Sequence, residues 1–552
     1  MLSVLLNWIY IAFTVFALGQ AFAFLVEKWF HYQIRAFDSI LVAGLVTATV
    51  YAQIFSLFYK VGMAANLLLL LFCLSVYFLL RHRIAAQIRQ WYGNYSAAGK
   101  ILLLFLVLLW AYFTSRGYLV YDSDLYHGQS IRWIEEYGVV KGLGNLHVRF
   151  AYNSSSFALS ALYSMKFLLG RSLHTVSGFF ALLLSAATLD IAASLKRKKL
   201  LLSDFARAAA IYYLTTICNE VVSPSSDYVV MCIIFFIAIK WLSVLENEKE
   251  RGSAAPYALL CVCGVYAITL KLTAGLILIL LIKPAYMLIK EKRLKEICLY
   301  LALGLLVGVP WVVRTVIISG WLLYPYPQLD LFSFDWKIKI ERAIADAAEI
   351  RTWGRGLYDA SKAGLPITQW FPNWFFKTLP MTGKLLITAD IICCGVFVLT
   401  AAVTFMKKRW GNLDYLLVQA AILCSYLFWQ LSAPLLRYGY AYVLLLAALT
   451  AGWILREKRV VSIIVYCLFL FYGGYKLCMI SGYLIQSAGI PNYIWQSDYG
   501  AYELQSYKLE NETFYIPVSG DRTGYAYFPS IPLMPEVEFR GDGIKDGFRP
   551  CP

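Results

Sequence analysis

Residues 4–26 read VLLNWIYIAFTVFALGQAFAFLV, a run of 23 residues that contains no charged side chain. A helix of this length is sufficient to cross the hydrocarbon core of a lipid bilayer. The run has neither the short apolar region nor the small-residue cleavage site that are typical of a secretory signal peptide. We therefore interpret it as a transmembrane helix that the mature protein keeps.

Comparable apolar runs recur along nearly the whole chain and are separated by short basic or aromatic-rich loops. The chain is 60% hydrophobic and only 15% charged, with a mean hydropathy of +0.63, unlike a soluble domain. We predict an all-α polytopic membrane protein with about fourteen transmembrane helices. The predicted spans are 4–26, 38–59, 62–80, 101–118, 173–194, 203–219, 227–245, 255–269, 273–289, 297–318, 385–406, 414–431, 438–455 and 460–483.

The net charge of +16 arises from Lys and Arg residues that cluster at the ends of the predicted helices. When every span is counted once, the basic loops fall on one side of the membrane, which the positive-inside rule identifies as cytoplasmic. These loops are 81–100, 196–199, 249–251, 290–295, 407–409 and 456–459. We therefore place the chain in the inner (cytoplasmic) membrane, with the remaining loops facing the periplasm or exterior. The basic residues are therefore expected to contact membrane lipid and not nucleic acid.

The spans divide the chain into five parts. These are three accessory helices in 1–100, a core in 101–318 with a first outer loop at 117–172, a long outer loop in 319–384, C-terminal transmembrane helices in 385–483, and a small outer cap in 484–552. Alternating runs at 513–518 and 537–539 predict short strands in the cap, whose core is too small to be stable alone. The apolar stretch 157–169 is too short to cross, so we expect it to lie along the outer interface.

The first outer loop carries the strongest chemical signal. It opens with Asp122 and Asp124 directly after a span, followed by Tyr126 and His127. The next residues have a helical period, which predicts an amphipathic helix on the membrane surface with the two carboxylates at its N-terminal end. A carboxylate at this position either caps the helix or takes part in catalysis. A Gly-punctuated turn carrying His147 and Arg149 then precedes the stretch 153–156.

Three motifs carry a family resemblance: D-x-x-x-Y-H at 122–127, G-L-x-N-L-H at 142–147 and K-D-G-F-R at 545–549. The order of an acidic outer loop, a Gly-rich turn, a juxtamembrane helix and a returning span resembles the GT-C superfamily of membrane glycosyltransferases. The motifs themselves resemble more closely a group of bacterial multispan membrane proteins. The resemblance implies a seven-helix GT-C-like core in 101–318. In this chain three spans precede that core, and the acidic pair is Asp-Ser-Asp rather than two adjacent residues.

The resemblance further implies an enzyme that transfers a sugar from a polyprenyl-phosphate donor to a glycan, lipid or protein acceptor in the cell envelope. Asp122 corresponds to the first acidic position of the family pattern and is expected to be the catalytic base, with Asp124 as the second candidate. A donor phosphate at the interface needs cations, because phosphate is bound best by Arg or Lys where water is scarce. Arg314, Arg437 and Lys271 are the candidates, although cations at helix ends also extend towards lipid headgroups.

Acceptor-positioning candidates are the polar residues of the outer loops. These are Tyr126, His127, His147 and Arg149 in the first loop, and Asp227 in the short loop before the span 227–245. Asp227 either faces the first-loop carboxylates across a cavity or caps the helix that follows it. Trp336, Trp370 and Trp374 of the long outer loop are candidates for stacking on sugars or for bordering a lipid groove.

Other functions remain open from sequence. Asp122 and Asp124 can ligate Mg²⁺ or Mn²⁺ through oxygen, but two carboxylates do not establish a metal requirement. A polymerase or ligase of surface polysaccharide would depend more on outer-loop Arg and His residues. A transporter or lipid flippase would place ionisable residues near the middle of the bilayer. The sugar, the acceptor and the oligomeric state are not encoded in any motif that we recognise.

Overall fold

The fold was analysed in a computed structural model, which describes residues 1–94, 96–197, 200–455 and 492–551, together with 464, 468, 471–476, 478–480, 482 and 483. Most of this chain is α-helical. The helices are α1 Leu2–Phe30, α2 Phe37–Phe58, α3 Met63–Leu79, α4 Arg81–Asn94, α5 Ala97–Arg116, α6 Gly128–Glu136, α7 Ser155–Tyr163, α8 Lys166–Leu169, α9 Val176–Thr188, α10 Ala193–Arg197, α11 Leu202–Ile217, α12 Ser226–Glu246, α13 Ala258–Leu270, α14 Ile282–Lys290, α15 Leu294–Ser319, α16 Ile340–Gly354, α17 Ile367–Asn373, α18 Met381–Met406, α19 Leu413–Ser432 and α20 Tyr440–Leu455.

Within these described ranges, eight helical segments are long and apolar enough to cross a membrane. They are Leu2–Phe30, Phe37–Phe58, Ala97–Arg116, Ser226–Glu246, Leu272–Lys290, Leu294–Ser319, Met381–Met406 and Trp410–Ser432. A ninth is reached if α3 and α4, which are bent by 82° at their junction, count as one span. The multi-pass helical class is therefore confirmed.

The remaining predicted spans correspond to shorter or more polar helices. The segments Val176–Ala192, Ala255–Leu270 and Tyr440–Leu455 are apolar but have only 10–17 residues. The span predicted at 203–219 coincides with α11, which buries Asp204 and Arg207 as an ion pair. The span predicted at 460–483 is described only in part, at 464, 468, 471–476, 478–480, 482 and 483.

Helix α12 forms the centre of the bundle, with 89% of its most apolar window buried inside the protein. It packs against α9, α11, α13 and α20. A span buried on all sides needs no polar face, and most of its side chains are Val, Ile, Leu, Phe and Met. Its first turn carries Asp227, so the central helix brings this carboxylate to one end of the bundle.

The helical hairpin of α1 and α2 depends on two glycines. A Cβ atom on Gly44 would lie 1.8 Å from the carbonyl oxygen of Val15, and one on Gly19 would lie 2.0 Å from that of Ile40. Small residues allow helix backbones to approach closely in membranes, where lipid is as apolar as the side chains. The absence of a side chain at Gly19 and Gly44 thus allows the backbones of α1 and α2 to pack closely.

Helix α7 corrects the interpretation of residues 157–169. Every residue of α7 is buried, whereas an interfacial helix would expose one face. The helix ends inside the protein, and its terminal carbonyls accept hydrogen bonds from side-chain amides: Asn7 donates to Tyr163 at 2.8 Å and Asn66 donates to Leu162 at 3.0 Å. Only α8 exposes apolar side chains, including Leu168. The prediction was wrong because apolarity alone does not distinguish burial in protein from burial in lipid.

The C-terminal cap contains short strands, as predicted, and the structure shows that they form two small antiparallel sheets. Strands β1 Leu504–Leu509 and β2 Glu512–Pro517 form one, and β3 Val537–Phe539 and β4 Phe548–Pro550 form the other. Their core is completed by the first loop, because the cap residues pack in one cluster with loop residues. The cluster contains Trp133, Val140, Leu143, Leu146, Phe150, Ile318, Leu509, Phe514, Ile516, Ile531, Val537, Phe539, Ile544 and Phe548.

Replacing Gly44 with Val is expected to destabilise the hairpin by about 1–3 kcal/mol or more, because the added methyl groups overlap the α1 backbone. The measurement is thermal unfolding of the purified protein in detergent, which should show a lower Tm. Gly395→Val in α18 is the matched control, since a Cβ there meets no atom within 4 Å. Equal Tm values for the two variants would contradict this packing.

Candidate active site

The first loop begins its helix with an irregular turn. Residues Ser123–His127 form a π-helical turn that leads directly into α6. A π-turn inserts an extra residue per turn and therefore shifts the direction of the side chains before it relative to those after it. Asp122 directly precedes this turn and Asp124 lies inside it, and the two carboxylates have different partners.

Four charged residues from four separate segments meet at one end of the bundle. Arg437 donates a hydrogen bond to Oδ2 of Asp122, and its Nε lies 2.9 Å from Oδ2 of Asp227. Lys271, which follows α13, donates a hydrogen bond to Oδ1 of Asp227. We call Asp122, Asp227, Lys271 and Arg437 the charge cluster. Two carboxylates and two cations thus form one continuous chain of ion pairs.

The charge cluster is only partly screened by water. The side chains of Asp122, Lys271 and Arg437 are 25%, 21% and 22% exposed, whereas that of Asp227 is 7% exposed. Burial disfavours an isolated charge, so each member depends on its partners. Although burial alone would lower it, the carboxylates of Asp227 and Asp122 raise the pKa of Arg437. The cluster therefore combines one buried carboxylate with three partly exposed charges.

His127 and the tyrosines surround the cluster. Burial lowers the pKa of His127 to about 4, despite the opposing effect of Asp122 and Asp227, so its ring is neutral at pH 7. The ring of Tyr126 lies 4.4 Å from that of His127, and burial and Asp122 raise the pKa of its hydroxyl. Nδ1 of His127 is buried and has no hydrogen-bond partner among the residues that the structure describes. A neutral imidazole can therefore still accept or donate one hydrogen bond here.

Sequence reasoning missed Tyr438. The Nζ atom of Lys271 lies 3.3 Å from the centre of its ring, a geometry that stabilises a partly desolvated cation. The signal was available, because Tyr438 directly follows Arg437 in the same loop.

The loop that carries Arg437 is held by indole and guanidinium groups. Trp374 donates to the carbonyl of Pro434 at 3.1 Å, Trp429 donates to Leu435 at 2.9 Å, and Arg355 donates to Leu431 at 2.7 Å. Trp374 and Trp370 are almost fully buried, so the prediction that they stack on sugars was wrong. These residues instead position Arg437. Trp336 stacks on Phe334, with ring centres 4.3 Å apart.

Asp124 binds the cap and not the charge cluster. Its carboxylate accepts hydrogen bonds from the backbone N–H of Gly500 at 3.0 Å and from the hydroxyl of Tyr502 at 2.9 Å. Its backbone carbonyl accepts from Thr523 and Gly524. Both carboxylate oxygens of the buried side chain therefore accept a hydrogen bond from the cap, and none of the hydrogen bonds found for Asp124 goes to the charge cluster. The structure therefore places this second catalytic candidate against the cap and not in the charge cluster.

His147 and Arg149 belong to a neighbouring polar group. Arg149 lies 3.5 Å from Asp346 and 3.0 Å from Glu349, both on α16, and donates to Tyr152 at 3.1 Å. Nδ1 of His147 accepts from the backbone N–H of Arg149, and burial lowers the pKa of His147 to about 3. This group fixes the long outer loop to the first loop.

Arg314 is buried elsewhere. Its Nε donates to Asn153 at 3.1 Å and its Nη1 donates to Ser56. It lines a cavity of about 20 Å³, which has room for roughly one water molecule, together with Tyr152, Asn153 and Phe157. These contacts fix α15 to the first loop and keep Arg314 outside the charge cluster.

Asp122 and Asp124 do not fit a shared Mg²⁺ or Mn²⁺ ion. The carboxylate of Asp122 faces Arg437, and that of Asp124 is occupied by Gly500 and Tyr502. Across the described ranges, no group of three or more His, Cys, Asp or Glu side chains is arranged to hold a metal ion. The groups that contact the carboxylate of Asp122 and that of Asp227 are the cations Arg437 and Lys271.

Asp124→Ala is expected to loosen the cap, because two hydrogen-bond donors lose their acceptor at a cost of about 1–3 kcal/mol. Limited trypsin digestion of the purified protein should then cleave the cap about tenfold faster. Asp498→Ala is the control, since its carboxylate is 56% exposed and an exposed ion pair contributes little. Equal cleavage of both variants would refute the anchoring role.

The buried neutral His127 predicts a loss of stability in acid. Its folded pKa of about 4 lies below the ordinary value of 6.5, so the unfolded chain binds the proton first as pH falls. Stability should therefore decline from about pH 6.5 towards pH 4, and His127→Gln should reduce this decline. Thermal unfolding at pH 7 and 4.5 tests it, with the exposed His31→Gln as control. An unchanged acid sensitivity in His127→Gln would contradict burial of the neutral ring.

Comparisons with known proteins extend the description at the level of family. A family model described as a domain of unknown function (DUF8201) matches residues 1–444. No curated protein and no solved structure matches the chain. The matched region contains all four members of the charge cluster and stops before the cap. The chain belongs to the DUF8201 family.

Proposed function

We propose that this protein is an integral membrane glycosyltransferase of GT-C type, which transfers a sugar from a polyprenyl-phosphate donor to a glycan, lipid or protein acceptor of the cell envelope. The observation that carries the proposal is the charge cluster. Asp122, Asp227, Lys271 and Arg437 come from separate segments, and they meet at helix ends, where a lipid phosphate and a polar acceptor can both arrive.

Arg437 and Lys271 are the proposed phosphate-binding residues. Both are about one-fifth exposed, and both are oriented by carboxylates before a ligand binds. A guanidinium can contact a phosphate and a carboxylate at once because it has five N–H donors in a rigid plane. The donor phosphate would draw Arg437 partly away from Asp122, which makes Asp122 a stronger base when donor is present. Arg314 is left out of this role.

Asp122 is the proposed general base. The acceptor hydroxyl oxygen attacks the anomeric carbon, the bond from that carbon to the phosphate oxygen breaks, and polyprenyl phosphate leaves with the electron pair. The hydroxyl proton passes to Asp122. Asp227 is less suitable, because it is more buried and is held by both cations. Its proposed role is to orient Lys271 and Arg437, while Tyr126 and His127 position the acceptor.

The proposed topology has fourteen spans, a seven-helix core in 101–318, and the charge cluster facing the periplasm or exterior from the inner membrane. The far end of the bundle supports this orientation. There Tyr415 donates to Leu245 at 3.4 Å and Lys283 pairs with Asp414 at 2.6 Å, close to the basic loops 249–251, 290–295 and 407–409. Basic loops favour the cytoplasmic side.

One observation favours transport as the second candidate. Asp390 lies inside the candidate span Met381–Met406 and is fully buried, and neither carboxylate oxygen has a hydrogen-bond partner among the described residues. An ionisable residue at such a depth is a common feature of transport pathways. A polysaccharide polymerase or ligase has less support, since His147, Arg149 and Arg314 are all engaged in structural contacts.

Asp122→Asn should lower turnover about 100- to 10,000-fold, because the amide keeps the shape and the contact with Arg437 but cannot take a proton. Donor KM should change little, since Arg437 and Lys271 remain. The assay is transfer from a polyprenyl-phosphate sugar to a glycan acceptor by purified protein. Asp335→Asn, at an exposed carboxylate paired with Arg540, is the matched control. Turnover of Asp122→Asn near that of wild type would remove Asp122 from the mechanism.

A further inference from the structure

The cap brings a further cation, Arg522, to the opening of the first loop. The guanidinium of Arg522 lies over the rings of Tyr121 and Tyr502, 4.8 Å and 5.0 Å from their centres. Tyr121 directly precedes Asp122 in the chain, and its hydroxyl donates a hydrogen bond to Asp521. We call Tyr121, Tyr502, Asp521 and Arg522 the rim.

The rim is fixed in place by the same contacts that anchor the cap. Tyr502 donates to Asp124 at 2.9 Å, and the backbone of Thr523 and Gly524 donates to the carbonyl of Asp124. Arg522 therefore stands between two anchored residues, which limits its freedom before any ligand binds. Preorganised groups bind ligands more tightly because less conformational entropy is lost.

Arg522 has no carboxylate partner in the part of the chain that the structure describes. Its contacts are the two aromatic faces, which leave the N–H groups at the edge of the guanidinium available. Both other cap arginines are engaged: Arg540 pairs with Asp335 and Arg549 pairs with Glu538. Beside it, Tyr121 is 49% exposed. An exposed aromatic ring next to a free guanidinium suits a sugar that carries an anionic group.

We propose that the rim binds an acidic sugar of the acceptor, with its carboxylate or phosphate held by Arg522 and its ring stacked on Tyr121. This inference rests on the proposed glycosyltransferase function for the identification of the bound sugar as the acceptor. Donor and acceptor anions would then be bound by separate cations: Arg437 and Lys271 for the donor, and Arg522 for the acceptor. Asp122 links the two proposed anion sites: it follows Tyr121 of the rim in the sequence, and it accepts a hydrogen bond from Arg437 of the charge cluster.

The test is direct binding of glucose, glucuronate and glucose 6-phosphate to the full-length protein in nanodiscs, measured by saturation-transfer NMR. Wild type should bind at least one anionic sugar about tenfold more tightly than glucose, as expected for a charge-assisted hydrogen bond. Comparison of glucuronate with glucose 6-phosphate distinguishes a carboxylate from a phosphate. Arg522→Gln should lose the preference, Arg522→Lys should keep part of it, and Arg549→Gln should keep all of it.

Protease protection of the cap in each variant shows whether it remains docked. A preference that persists in Arg522→Gln, or that is lost equally in Arg549→Gln, would overturn the proposal, as would equal binding of all three sugars by wild type. A preference that persists in Arg522→Gln but disappears in Arg437→Gln would assign the anion to the charge cluster. Because this experiment measures binding without transfer, failure of the glycosyltransferase assay would leave its result interpretable.

Discussion

Arg437 contacts Asp122 and Asp227 together, and the architecture at this end of the bundle follows from that pairing. Charged groups near the end of an apolar helix lose water and cannot remain alone, so each needs an opposite charge within reach. The first loop, the start of α12, the end of α13 and the loop before α20 each provide one such group. The need to pair them brings four distant segments to a single point.

The cap needs residues of the first loop to complete its hydrophobic core. Its strands are too short and too few to enclose a core, and loop residues such as Trp133 and Leu143 complete it. The backbone N–H of Phe548 also donates to the carbonyl of Lys141 at 2.9 Å. The three motifs that carry the family resemblance thus meet in space: the acidic opening holds 500–524, and the Gly-rich turn borders the K-D-G-F-R ending.

The convergence of Asp227, Lys271 and Arg437 with Asp122 was accessible from sequence, because each is a charged residue at the end of an apolar run and counting spans places those ends on one side. The partners of Asp124 could not be predicted from the sequence. Gly500 and Tyr502 lie in the cap, and the position of the cap is set by its packing against the first loop. Helix α7 was misplaced because its apolar residues read alike in lipid and in a protein core. Arg314 was predicted to bind the donor phosphate, but its burial against Asn153 depends on the path of the first loop.

Native mass spectrometry of the purified wild-type protein tests the central claim most directly, namely that the charge cluster binds the phosphate of a polyprenyl-phosphate donor. The account predicts a bound species with the mass of a polyprenyl phosphate or its sugar conjugate, and loss of that species in an Arg437→Gln, Lys271→Gln double variant that retains its fold. No bound polyprenyl phosphate in wild type, together with sugar flux across vesicles that contain the protein, would contradict it and favour transport.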